Sequence, residues 1–81
     1  MNQFNGIIKA EEETLNFSFS RVYTTEGEKF FVTATTNKGY YNFDMKKDSK
    51  GKWRISDIAP QSLKEFEERL SNIIEQNIYL P

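Results

Sequence analysis

The chain of 81 residues contains neither cysteine nor histidine. The first absence excludes a disulfide staple, and the second removes the side chain most often used as a general base. Together they deny a zinc site its thiolate and imidazole ligands. Proline occurs twice and glycine four times, too scattered for a linker, a low-complexity tract or a glycine-rich phosphate cradle. Uninterrupted apolar runs extend over only a few residues, far short of the roughly 20 needed for a membrane-spanning helix. Met1 to Lys9 shows no charged leader followed by a long apolar stretch, so no secretory signal is read there and a cytoplasmic location is expected. The sequon Asn16-Phe17-Ser18 is then a chance match.

What the chain does have is aromatic side chains: seven Phe, four Tyr and one Trp. A chain of this length buries roughly 60% of the surface that its unfolded form exposes, so a single domain spanning residues 1–81 with one modest core is expected. The net charge of −1 conceals an asymmetry. Lys38, Lys46, Lys47, Lys50, Lys52 and Arg54 face only Asp44 and Asp48 across residues 38–54, a local balance of +4 that leaves −5 elsewhere. Such a patch steers partners without specifying a fold.

Most of the sequence alternates with period two. Phe4, Ile8 and Ala10 share one side of a first strand over residues 3–10, and the charges of Glu11-Glu12-Glu13 mark a turn. Leu15, Phe17 and Phe19 then point inward from a second strand over residues 15–23, with Asn16, Ser18 and Ser20 outward. Alternation of this kind belongs to an antiparallel sheet with one solvated face. A turn with Gly27 leads to a third strand over residues 29–36, with Phe30, Val32 and Ala34 as its inner set. After Asn37-Lys38-Gly39, a fourth strand points Tyr41, Phe43 and Met45 inward and Tyr40 outward. The polar loop of residues 46–51 leads to a fifth strand over residues 52–58, with Trp53 and Ile55 inward.

From Pro60 onward the period changes. Leu63, Phe66, Leu70, Ile73, Ile74, Asn77 and Ile78 recur at steps of three and four, one stripe of an α-helix. Pro60 suits a helix start, Ser62 and Glu65 have the spacing of a capping box, and Glu65 with Arg69 forms an i,i+4 pair. About seventeen helical residues span about 25 Å, and eight strand residues about 27 Å. The expected fold is therefore α+β: an antiparallel β-meander of four to five strands with one C-terminal α-helix packed across one sheet face, a bent barrel closed by the helix being the variant.

The segment from Phe43 to Ile55, with its charged turn and Gly51-Lys52-Trp53-Arg54-Ile55, resembles a hairpin of many small bacterial α+β domains, cystatin-like and nuclear-transport-factor-2-like ones among them. The likeness covers thirteen residues of generic hairpin chemistry and brings no functional residue with it.

Catalytic chemistry finds little here. Three consecutive glutamates converge poorly on a cation because adjacent strand residues point to opposite faces. The loop from Asp44 to Gly51 lacks the ligand spacing of a calcium loop and its closing Glu, and it is cationic inside. The serines have no imidazole to activate them. A non-enzymatic domain without cofactor or metal is expected. Its first candidate surface is the sheet face away from the helix, where Val22, Phe31, Tyr40 and Arg54 suggest contact with a protein partner or with a second copy in a homodimer. The alternative is weak single-stranded nucleic-acid binding through Lys46, Lys47, Lys50, Lys52 and Trp53 on the basic hairpin, which requires Tyr40 and Trp53 to be exposed beside the lysines.

Overall fold

Two-residue turns set the register of most of the sheet. In the computed structural model, which describes residues 3–56 and 59–78, β1 (Gln3–Ala10) and β2 (Glu13–Thr24) are joined by Glu11-Glu12. Thr25-Glu26 joins β2 to β3 (Gly27–Thr36), and Asn37-Lys38 joins β3 to β4 (Gly39–Lys47). The second and third turns share one chemistry. The Thr24 and Thr36 hydroxyls each accept an amide N–H two residues on and donate to the carbonyl of the glycine that opens the next strand. Those glycines, Gly27 and Gly39, have φ of 120° and 132°, a region that L side chains rarely enter. The first turn has no glycine, and Glu11 takes φ 54° instead.

A longer loop leads to β5 (Trp53–Ile55), and the five strands lie in sequence order, each antiparallel to its neighbours. No pairing closes β1 onto β5 among the described residues, so the sheet is an open meander. β5 is shorter than the expected fifth strand, whose last residues, 57–58, lie outside the described residues.

The inner face is as the alternation predicts. Phe4, Phe19, Val32 and Phe43 lie abreast on four strands, beside the row of Phe30, Met45 and Ile55. All seven are buried, as is Trp53. Phe4 stacks on Phe19 at 4.9 Å, and Phe30 meets Trp53 edge-on at 4.9 Å. Burying each such side chain stabilises the fold by about 1.5–3 kcal/mol.

The helix departs from expectation in one respect. It is two pieces, α1 (Gln61–Lys64) and α2 (Glu67–Ile78), with a turn at Glu65 and Phe66. The amides of Leu63 and Phe66 bond three residues back, to Pro60 and Leu63, so the chain tightens there before Leu70 resumes the four-residue step onto Phe66. Leu63 and Phe66 are both buried by this path. The capping box does not form: Pro60 is the N-cap, so Ser62 already lies inside the first turn, and no side chain caps that end. Arg69 lies over the Phe66 ring, 5.9 Å from its centroid, in place of the expected pairing with Glu65.

α2 touches both outer strands, β5 and β1. Leu70 and Ile74 are fully buried. At β1, the Ile73 side chain crosses Gly6 so closely that an added Cβ would lie 2.9 Å from Ile73 Cδ1.

Candidate contact surface

The face turned away from α2 carries Gln3, Asn5, Ile7 and Lys9 from β1 and Asn16, Ser18, Ser20 and Val22 from β2. It continues through Lys29, Phe31, Thr33 and Thr35 to Tyr40, Asn42, Asp44 and Lys46, ending at Arg54. The register arranges these in rows. Across the middle runs Asn5–Ser18–Thr33–Asn42, where the Ser18 hydroxyl donates to Asn5 at 3.0 Å and that of Thr33 to Asn42 at 2.8 Å. On one side lie Gln3–Ser20–Phe31–Asp44 and then Val22–Lys29–Lys46–Arg54; on the other, Ile7–Asn16–Thr35–Tyr40.

This arrangement divides the expected contact residues. Phe31 is 50% exposed and Tyr40 75%, so both are outward as anticipated. They sit four residues apart along the strands, about 13 Å, with the polar row between them. Val22, half-buried, is one diagonal step from Phe31; Arg54 closes the outermost row two strands away. The four residues thus form no single patch. Ile7, 62% exposed and in the row of Tyr40, is a further apolar residue of this face that the candidate set left out. The available signal was an isoleucine at a position that the period-two alternation sets opposite to Phe4 and Ile8.

Charge on this face is largely paired. Lys29 bonds Asp44 at 3.1 Å and lies 4.8 Å from the Phe31 centroid. Arg54 holds Asp48 at 2.9 Å and Glu67 at 2.8 Å. Lys46 and Glu26 approach to 3.8 Å, but both are so exposed that the pair contributes little.

Asp48 organises the basic loop. One oxygen accepts the amides of Lys50 and Lys52, and the other accepts from Arg54 Nε, each at 2.9 Å. The bond from Arg54, then that from the Lys52 amide, holds the Asp48 carboxyl down to about 2, and Asp48 and then Glu67 raise the guanidinium above its ordinary value. The stacking arrangement needed for nucleic acid is absent: Trp53 is 0% exposed, its ring in the core and Lys47 Nζ 5.6 Å from its centroid. Lys50 and Lys52 remain on the surface beside it, without an exposed aromatic of that hairpin's β5 arm.

Two residues that sequence reasoning passed over tie α2 to β5. The buried Ser71 hydroxyl accepts the Trp53 amide at 3.1 Å, and Glu67 accepts the Ile55 amide at 2.9 Å. Ser71 lies beside Leu70 in the apolar stripe, a polar intruder that could have been noticed; Glu67 looks like any surface acid.

A cleft of about 690 Å³ lies beside α1 and the β1–β2 turn, lined by Leu15, Tyr41, Leu63 and Phe66 among others. Its rim sets Lys9, Lys38 and Arg69 against Glu11, Glu13 and Glu65, so no one charge sign is selected. Glu13 also accepts the Asn37 amide, tying the two turns together. No group of three carboxylates that could hold a metal comes together among the described residues, and no described helix is long and apolar enough to cross a membrane. Compared with protein-family models, curated proteins and solved structures, the chain matches none.

Proposed function

We propose a non-catalytic, cytoplasmic domain that acts through protein contacts, with the open sheet face as its contact surface. The observation that carries this reading is the face itself: hydroxyl and amide side chains in the centre, exposed Ile7, Phe31 and Tyr40 around them, and charges mostly paired with one another. Protein interfaces have that make-up, with aromatic anchors, polar groups able to bond across, and few unpaired charges at the centre. A nucleic-acid surface would instead present free cations beside exposed rings.

The test pairs Phe31→Glu with Tyr40→Glu. Both side chains are exposed, so the double variant folds with a melting temperature close to that of the parent chain. Proteins captured from a lysate by the parent and lost by the variant mark the face as the contact surface. Identical captures, together with an unchanged oligomeric state, mean that the face is idle and the reading wrong.

A further inference from the structure

The two margins of the sheet are finished unequally. A two-residue turn makes Ala10–Glu13 a mutually hydrogen-bonded pair, and alternation then assigns every later amide. The even-numbered residues of β1 bond to β2; Gln3, Asn5, Ile7 and Lys9 turn their N–H and C=O groups away from the sheet. Carried across the meander, the same parity points the amides of Trp53 and Ile55 outward at β5, where Ser71 and Glu67 receive them. At β1 no described side chain does the same. This strand pairs without a bulge over eight residues, contains no proline, and has one charge, Lys9. Natural sheets ordinarily blunt such a margin.

We infer that β1 is the site where a second copy of this chain pairs, antiparallel and about a two-fold axis, so that two five-stranded sheets become one. This inference rests on the outward backbone groups of β1 and not on the open-face reading, although the Ile7 side chain belongs to both. The strand is its own complement. Pairing centred on Gly6 or Ile7 sets Lys9 opposite uncharged Gln3 or Asn5 of the second copy, so like charges do not meet. The same pairing brings the two Ile7 side chains opposite or diagonal to each other, covering a residue that is 62% exposed. On the other face, both copies of α2 lie on one side of the joined sheet, and the half-buried Ile73 over Gly6 gains an apolar neighbour across the axis.

Sedimentation equilibrium over a hundredfold range of concentration tests this, using the parent chain, Ile7→Pro, Ile7→Lys and Phe31→Glu. The Ile7 amide points outward, so proline there costs no bond of the β1–β2 ladder but blocks the new one. The expected result is a monomer–dimer equilibrium for the parent, weakened at least about tenfold by both Ile7 variants and unchanged by Phe31→Glu. Circular dichroism verifies each fold; should Ile7→Pro not fold, Ile7→Lys together with exchange at the outward Asn5 and Ile7 amides decides. Hydrogen exchange then shows the amides of Asn5 and Ile7 slowing as concentration rises. A monomer throughout, or a dimer indifferent to the Ile7 variants, overturns the inference. A dimer lost in Phe31→Glu alone overturns it in favour of the open face.

Discussion

At the β5 margin, α2 supplies two acceptors, a buried hydroxyl and a carboxylate, for two strand amides; at the β1 margin it supplies the side chain of Ile73 against Gly6. The first attachment is directional and fixes β5, only three residues long, which lacks a ladder of its own on that side. The second is apolar and tolerant of sliding. A strand joined to its neighbour over eight residues needs no more than that, whereas one joined over three does. Substitutions at the two margins are therefore expected to differ in both size and character.

Trp53→Ala has the largest expected effect. The ring is fully buried against Phe30, so its removal costs about 3–5 kcal/mol. At the other margin, Ile73→Ala removes a half-buried side chain and costs about 1–2 kcal/mol. Urea midpoints of the two variants, taken with equal slopes, give the ratio. Equal losses would show that the helix leans on both strands alike. Trp53→Phe adds a refinement, because the indole Nε1 is buried without a hydrogen-bond partner among the described residues. Phenylalanine removes that orphan donor, so part of the cost of the lost volume is offset.

Ser71→Ala comes next. It leaves the Trp53 amide without an acceptor in a buried contact, an expected loss of about 1–3 kcal/mol read from the same midpoints. Hydrogen exchange at that amide should quicken by at least as much as the global stability falls. A neutral result would mean that a carbonyl or water replaces the hydroxyl, and that β5 is held by packing alone.

The strands were legible because each inner residue repeats every second position without interruption from Leu15 to Phe19 and from Phe30 to Ala34; a one-residue slip would bury Ser18 or Thr33. The placement of Phe31 and Tyr40 outward follows from the same rule. The break at Glu65 and Phe66 was not legible, since Leu63, Phe66 and Leu70 suit one continuous helix as well as two pieces. What distinguishes them is the three-residue step that lets both Leu63 and Phe66 reach the core, a tertiary constraint. The candidate surface was half legible. Period two says which face a residue occupies but not which row, and rows depend on turn lengths in three hairpins at once. Phe31 and Tyr40 were thus placed on the correct face, while the polar row that keeps them from touching was not legible. The bonds to Ser71 and Glu67 lie deeper still, because they join residues whose adjacency only the finished fold creates.

Gly6→Ala probes the apolar margin directly. The new methyl would meet Ile73 Cδ1 at 2.9 Å and Cγ2 at 3.0 Å, both at the end of a side chain that can turn aside. The expected loss is about 1 kcal/mol, at the low end for overpacking. Combined with Ile73→Ala, the two changes should cost less than their sum, because the second removes the clash made by the first. Strict additivity in that cycle would place α2 elsewhere over β1.

The smallest effect belongs to pH and to the loop before β5. The Asp48 carboxyl is lowered from 3.8 to about 2, first by the bond from Arg54 and then by the Lys52 amide. A carboxyl whose folded value lies below its unfolded one adds stability that is complete above its ordinary value and is lost as pH falls through the folded value. The contribution is thus full above about pH 4 and gone below about pH 2, and solvent screening keeps it small. Urea midpoints of the parent chain and Asp48→Asn should differ at pH 6 and converge as pH approaches 2. Exchange at the Lys50 and Lys52 amides should quicken over the same window, while that of the β1–β2 ladder does not. A difference that persists at pH 2 would assign the loop's order to hydrogen bonds that asparagine cannot reproduce, and the charge on Asp48 would then have no part in holding β5.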